Sequence, residues 1–257
     1  MKKILKNLNV YKELNYRSIL SSDLSRQISI VERLIELPIE SHHVLSLIKL
    51  VKKSHSELGQ DLLMLLLSNF KNSGVFIEIG ANDGSNCSNT KLLEEYFDWR
   101  GIVSEPNPKY SKILSNRKCY IDFNIVHSNS EEELYINDLS SLSYVSKKKM
   151  SKKGSWVPTI TLDDLINQHF DHNKVEIDFV SIDTEGHELE ILKEFPFDKW
   201  NIGYFIIEHN YKSEKSIDSV MSHAGYIRFL GKWSKIDAYY CHHSKKKLLR
   251  NQFTLMR

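Results

Sequence analysis

Apolar positions along this chain keep two different periods, and the change between them falls near residue 70. Before it, Leu24, Ile28, Val31 and Ile35 recur on one helical face, behind a capping pair Ser22-Asp23 and ahead of Pro38, which closes the helix. Two further helices are predicted over residues 43–53 and 57–70. Stripes of this kind need a surface to cover them, so residues 1–70 are expected to pack as a helical extension on the domain formed by the rest of the chain. After residue 70, short apolar runs alternate with amphipathic stretches. Strands are predicted at Val75–Ile79 and at residues 101–105, 120–127, 177–183 and 202–208, with a closing antiparallel pair at 226–230 and 238–241. Helices are predicted at 89–97, with Leu92, Leu93, Tyr96 and Phe97 facing inward, and at 110–115, 161–170, 187–195 and 213–223. Residues 128–154 show no regular pattern. Alternating strands and helices over residues 71–257 predict an α/β, Rossmann-like domain: a mainly parallel seven-stranded sheet with helices on both faces. Ligands of such sheets bind outside the carboxyl ends of the strands.

The polar residues at those ends are therefore the candidate chemistry. The first strand runs into Phe76-Ile-Glu78-Ile-Gly80-Ala81-Asn82-Asp83-Gly84, a strand–loop–helix junction. Its spacing is Glu-x-Gly-x-x-x-Gly and not the Gly-x-Gly-x-x-Gly of a dinucleotide fold. Glycines let the backbone approach a ligand closely. The carboxylate of Glu78 would repel a pyrophosphate and suits a ligand with a positive charge, such as the ammonium or sulfonium of S-adenosylmethionine. The next strand ends at Glu105, Pro106 and Asn107, where a carboxylate can accept both hydroxyls of a ribose. Two later strands end at Asp183, Glu185 and His187, and at Glu208, His209 and Asn210. So many acids in one crevice are costly unless a cationic ligand, a metal or a shared proton answers them.

Composition narrows the classes. At 257 residues and 41% hydrophobic, the chain has room for one large domain with an extension. No apolar stretch reaches the roughly 18–20 residues of a membrane span. The start Met1-Lys-Lys-Ile-Leu-Lys lacks the apolar core of a signal peptide, so a cytoplasmic protein is expected. Cys87, Cys119 and Cys241 are odd in number and far apart, which suits reduced thiols. A net charge of +2 gives no argument for nucleic acid. The lysine-rich segments 147–153 and 245–250 read as a solvated loop and a surface tail.

Six segments, in this order and spacing, resemble the FkbM family of class I, S-adenosylmethionine-dependent methyltransferases, over roughly residues 55–241. They are Leu58-Gly-Gln-Asp61, Phe76 to Gly84, Val103-Ser-Glu-Pro-Asn107, Val157 to Leu165, Asp178-Phe-Val-Ser-Ile-Asp-Thr-Glu-Gly-His-Glu188 and Ile206-Ile-Glu-His-Asn210. One departure is that relatives often carry Ser-Gln before the Gly-x-Asp segment, where this chain has Ser56-Glu57. The resemblance implies methyl transfer to oxygen, with sugars, glycans and polyketide-type products as acceptors. It implies a cofactor-binding set of Glu78, Gly80, Ala81, Asn82, Asp83, Gly84, Glu105, Pro106, Asn107 and Asp183, with residues 122–124 near the adenine. Residues 1–70 are expected to shape the acceptor pocket or a contact between identical subunits.

An alcohol must lose its proton as the methyl bond forms, so a base or a metal is expected. In one scheme His187 or His209 is the base, oriented by Glu185, Glu188 or Glu208. In the other, Asp183, Glu208 and Asn210 offer hard oxygen ligands to a divalent cation such as magnesium. Trp156 or Tyr144, in the segment 140–156, is read either as a sugar-stacking lid or as part of a surface loop. The leading reading is a sugar or glycan O-methyltransferase. Its competitors are an O-methyltransferase of a lipid or secondary metabolite and a non-catalytic binding module. A nucleic-acid methyltransferase is disfavoured because the fourth main strand ends Asp183-Thr-Glu-Gly among acids.

Overall fold

In the computed structural model the described residues are 22–139, 142–149, 154–231 and 233–253, with the side chains of 138, 139 and 142–144 outside the description. The order of elements is α1 (Ser22–Glu36), α2 (Ser41–Ile48), α3 (Gln60–Leu67), β1 (Val75–Ile79), α4 (Lys91–Phe97), β2 (Arg100–Ser104), α5 (Ser111–Leu114), β3 (Tyr120–Asp122) and β4 (Ile125–Val126). It continues with β5 (Glu133–Leu139), β6 (Leu142–Ser146), β7 (Gly154–Ile160), α6 (Leu162–His169), β8 (Glu176–Ile182), α7 (Glu188–Lys193) and β9 (Asn201–Glu208). Last come α8 (Glu214–His223), β10 (Tyr226–Phe229), β11 (Asp237–His242) and α9 (Lys246–Gln252).

The main sheet has seven strands in the order β10-β11-β9-β8-β1-β2-β3. β3, β2, β1, β8 and β9 pair in parallel, and β11 runs antiparallel to both β9 and β10. This is the Rossmann-like sheet, with its closing antiparallel pair, that the alternation of elements predicts. Both faces are buried. Ile77, Ile79, Val180, Ile182 and Ile207 pack with α6, α7 and α8, whereas Phe76, Val103, Phe179 and Ile206 pack with α1, α3, α4 and α9. β1 has β2 on one side and β8 on the other, so the chain order reverses there and a crevice opens at the strand ends.

Several expectations need correction. Residues 120–127 are two strands: the Asp122 carboxylate accepts from the Asn124 backbone N–H and its side-chain amide, an Asx turn that ends β3 and sends β4 into a second sheet. That sheet, in the order β4-β7-β5-β6, occupies most of the region expected to be irregular. Its apolar face is Ile125, Leu134, Ile136 and Val157, with Val145 against them. Tyr96 is half exposed and does not face inward. In α1 the deeply buried positions are Ile30, Arg33 and Leu34, while Leu24 is exposed. Arg33 tolerates burial because its guanidinium stacks 4.0 Å over Trp233 and donates to the carbonyls of Leu58 and Trp233. All eight residues of α3 are buried, as expected of a helix apolar all round. The segment 245–250 is not a tail: α9 buries Leu249 and Gln252, and the Gln252 amide donates to the carbonyls of Leu66 and Leu67 at the end of α3. Residues 1–21 and 150–153 lie outside the described residues. No helix among the described residues is long and apolar enough to cross a membrane.

Candidate active site

A cavity of about 240 Å³ opens at the carboxyl ends of β1, β2, β8 and β9. Of the predicted residues it brings together Gly80, Ala81, Asn82, Glu105, Pro106, Asp183, His187 and Glu208. Glu78, Asp83, Gly84, Asn107, His209 and Asn210 do not line it, and local bonds explain each.

Glu78 is buried and consumed by the loop. Its Oε1 accepts the Asn89 backbone N–H at 2.6 Å, and Oε2 accepts the hydroxyls of Ser88 and Thr90 at 2.9 and 2.5 Å. Arg117 lies 3.7 Å from the same carboxylate and binds Glu94 at 2.7 Å, the Gly84 carbonyl at 2.9 Å and the Thr90 hydroxyl at 2.9 Å. Glu78 therefore anchors the loop that enters α4. Asp83 accepts the backbone N–H groups of Ser85 and Asn86 at 2.8 and 2.7 Å, an Asx turn. The two glycines serve close approach of chain to chain. Gly80 has φ +86°, and a Cβ there would stand 1.7 Å from the Asp183 carbonyl oxygen; one at Gly84 would stand 2.6 Å from Leu114. Asn107 caps the short turn after β2, accepting from the Lys109 N–H at 3.1 Å.

Glu105 is the polar centre of one half of the cavity. Its Oε2 accepts the Asn82 N–H and its Oε1 the Asn107 N–H, each at 2.8 Å, so one carboxylate ties the loop after β1 to the loop after β2. Burial raises its pKa, and these two bonds oppose the rise. Asp122, expected near the adenine, is committed to its own turn and does not line the cavity.

The other half is acidic. Asp183 and Glu208 lie side by side where β8 and β9 end, with Asp237, the first residue of β11, paired in register with Glu208. Asp183 lines the cavity and is exposed to solvent through it. Desolvation, and then the charges of Glu208 and Asp237, push its pKa well up. Desolvation and the Glu185 charge push Glu208 up to about 7. The pair therefore holds a proton near neutral pH. Glu208 bonds to Asp183 and to the Asn210 amide, and its Oε2 is shut off from solvent. Asp237 accepts from the Gln60 amide at 2.9 Å, and its pKa is raised by burial and opposed by Arg33 and His209. His187 lines the cavity beside His127, ring centroids 5.6 Å apart. His209 does not face the cavity as expected of a base: it is buried, its Nδ1 accepts the Tyr211 N–H at 3.0 Å and its Nε2 has no partner. Among the described residues no group of three or more His, Cys, Asp or Glu side chains is placed to hold a metal ion.

Glu57, Gln60 and Asp237 line the cavity and were not among the predicted site residues. Asp237 could have been found from topology, because an antiparallel strand begins where its parallel neighbour ends. Glu57 and Gln60 sit in the segment that leads to Asp61, itself buried and bound by the Ser54 and Ser56 hydroxyls and the His55 and Leu62 N–H groups. Trp156 is half exposed, meets the edge of Tyr135 at 5.3 Å and does not line the cavity. The Tyr144 side chain lies outside the described residues.

The profile of the family described as "Methyltransferase FkbM domain" matches residues 78–228, more than half of the chain. Among solved structures, the chain is similar to a precorrin-6Y C5,15-methyltransferase from Geobacter metallireducens GS-15, at 12% identity, covering 70% of this chain and 84% of that one with a TM-score of 0.39. It is also similar to human methyltransferase 10 domain containing protein, at 15% identity, covering 72% and 81% with a TM-score of 0.42. No curated protein sequence matches the chain.

Proposed function

This chain belongs to the FkbM family of S-adenosylmethionine-dependent methyltransferases, and from that premise we propose that it methylates a hydroxyl oxygen of a sugar or glycan. The residues present suit the cofactor. Acids line the cavity and, among the described residues, no Lys or Arg does, so a sulfonium and an ammonium meet opposite charge there. Each oxygen of Glu105 accepts one backbone N–H and keeps a second lone pair for a ribose hydroxyl. Gly80, Ala81, Asn82 and Pro106 form the adjoining wall. Bound there, S-adenosylmethionine supplies a methyl carbon activated by a positively charged sulfur.

The observation that carries the reading is the Glu208 carboxyl, which lines the cavity and is pushed up to about 7; this suits it to accept the proton of an alcohol at neutral pH. Asp183 beside it shares the proton that remains. His187, on the same cavity, can hold a second hydroxyl of the acceptor. A divalent cation on Asp183, Glu208 and Asn210 fits less well, because Asn210 is bonded to Glu208 and does not line the cavity. Deprotonation therefore rests on Glu208. Much of the remaining acceleration comes from holding the acceptor in line.

Residues 1–70 are read as an extension packed on a domain of 71–257. Supporting this, α1, α2 and α3 share one apolar core with the sheet, and Glu57 and Gln60 reach the cavity. A lipid or secondary-metabolite hydroxyl is the second reading, favoured by the apolar wall of Ile125, Val126, Ile136 and Val145. The test is methyl transfer from labelled cofactor to a set of methyl glycosides and long-chain alcohols, with the product located by mass spectrometry. A sugar methyl ether is expected, formed at the same rate with and without a chelator. Glu208→Gln is expected to slow turnover roughly 10²–10⁴-fold with cofactor affinity unchanged. A methyl group on carbon or nitrogen, or full activity of the variant, would refute the assignment.

A further inference from the structure

Strand register sets three carboxylates side by side beneath the helical extension. Ile182 of β8 pairs with Ile207 of β9 in parallel, so Asp183 and Glu208 are the next residues along. Glu208 stands directly opposite Asp237 in the antiparallel pair of β9 and β11. Residues opposite each other point to one face, with Cβ atoms about 4.5–5.5 Å apart. Side chains alternate along a strand, and Ile206 and Tyr239, two residues away, pack in the core shared with α1 and α3. Glu208 and Asp237 therefore face those helices. Like charges so placed repel, and something must hold them there.

Gln60, the first residue of α3, holds Asp237. Its Nε2 donates to Asp237 Oδ2 at 2.9 Å, and its Oε1 accepts the Leu58 N–H at 2.8 Å. Leu58 offers a donor, so the amide has one orientation, with its N–H end toward Asp237. Both side chains are buried and both line the cavity. The surrounding bracket is tied at two points. The Arg33 guanidinium donates to the carbonyls of Leu58 and Trp233 at 3.1 and 3.2 Å, and the Trp233 indole N–H returns to the Arg33 carbonyl at 2.8 Å. One arginine of α1 thus fixes both the loop that leads to Gln60 and the turn that leads to Asp237. Gln60 stands at the cavity wall, yet it spends both ends of its amide inside the protein.

We propose that Gln60 is a positioning residue of the transfer, through which the helical extension holds the Asp237 carboxylate in line with Glu208 and so sets the strength of the base. This rests on the reading of Glu208 as base given above. The charged groups that face Asp237 are Arg33 from α1, Glu57 from the segment before α3, His209 after β9, and Asp183 after β8. Those that face Glu208 are Asp183, Glu185 and Glu188. A donor to a carboxylate favours its charged form, so the Gln60 amide keeps Asp237 ionised against its burial. That charge in turn makes Asp183 hold its proton, and Asp183 is bonded to Glu208. Without the amide, Asp237 takes up a proton more readily. The Asp183–Glu208 pair then faces less negative charge and gives up its proton at lower pH. A base matched to neutral pH is the gain.

The experiment is a carbon NMR titration, from pH 5 to 9, of the full chain labelled at its Glu carboxyl carbons. The Glu208 resonance is identified by its absence in Glu208→Gln. Gln60→Met removes the donor and is expected to lower the Glu208 midpoint by about half a pH unit or more. The swapped pair Gln60→Glu/Asp237→Asn keeps a hydrogen bond between the two positions and moves the charge off β11, away from Glu208. It is expected to unfold in urea close to the parent while its Glu208 midpoint stays below the parental value. In turnover, the acid limb of the pH profile of kcat should move to lower pH in both variants, with the KM for S-adenosylmethionine unchanged. A Glu208 midpoint that stays put or rises in Gln60→Met, or one restored by the swapped pair, would overturn the role of Gln60, because a bond that served folding alone predicts those results. The titration needs no acceptor, so these results leave O-transfer standing. A methyl group found on carbon or nitrogen overturns O-transfer itself, and with it the purpose of this arrangement.

Discussion

Replacing Glu208 with Gln should make the protein more stable while disabling it, and the gain should grow with pH. Glu208 is 6% exposed, so solvent does little to screen its charge. Its pKa is pushed from 4.5 up to about 7, first by desolvation and then by Glu185. At about 1.4 kcal/mol per tenfold change in proton affinity, this amounts to about 3 kcal/mol. The folded chain binds this proton more tightly than the unfolded chain does. The associated stability is therefore fully present below pH 4.5 and is lost as pH rises through about 7. A neutral Gln carries no such dependence. At pH 8 the variant should be more stable by up to about 3 kcal/mol, equivalent to roughly 6–12 °C in Tm for a chain of this size. Near pH 4.5 the two proteins should be alike, or the variant slightly weaker where its amide finds no acceptor. Urea unfolding followed by circular dichroism at pH 5, 6, 7 and 8 gives the four differences directly. A difference that does not change with pH, or a variant less stable than the parent at pH 8, would refute the claim that this carboxylate is held in its charged form against its environment.

Three further outcomes rest on single side chains. Arg117→Met should cost about 3–5 kcal/mol, because it leaves the buried carboxylates of Glu94 and Glu78 without their cation; a loss below about 1 kcal/mol in urea unfolding would count against the ion-paired loop. Gly80→Ala should cost at least about 3 kcal/mol, combining a left-handed backbone with a Cβ 1.7 Å from the Asp183 carbonyl, and near-parental stability would show that this approach is not needed. Glu105→Ala should weaken S-adenosylmethionine binding by roughly 1.5–3 kcal/mol, measured by calorimetry, and unchanged affinity would remove the ribose role.

The fold was legible where burial is two-sided. β1, β8 and β9 read as near-continuous apolar runs because both of their faces are covered. The second sheet was not legible, because β5, β6 and β7 intersperse Glu, Asn, Asp, Ser and Thr with Leu134, Ile136 and Val157 and form no continuous apolar run. In α1, counting apolar residues put the buried face on Leu24, Ile28, Val31 and Ile35, since a buried arginine under a tryptophan cannot be read from hydropathy. At the site, topology located the cavity but could not say which polar residues were already spent. Glu78, Asp83 and Asn107 are neighbours of the cavity in sequence, and each is consumed by amides or hydroxyls within a dozen residues. Side chains that close their own loops have the same composition as side chains that meet a ligand, so only coordinates separate them.

The two halves of the cavity are mechanically one object, and Gly80 is the reason. The end of β1 is bonded on both sides: the Gly80 and Ala81 N–H groups donate to the Ser104 carbonyl at 2.9 and 3.1 Å, and the Asp183 N–H donates to the Ile79 carbonyl at 3.0 Å. Glu105 extends the first link by holding the Asn82 N–H. The absence of a Cβ at Gly80 lets the Asp183 carbonyl press directly on this junction. The loop that would hold the cofactor and the strand end that carries the proton-sharing acid are thus spaced by backbone, with no flexible side chain between them. Such spacing suits in-line transfer, in which an error of about 1 Å costs on the order of 10²-fold in rate. It also explains why glycine stands at a position where no ligand contact is needed to account for it.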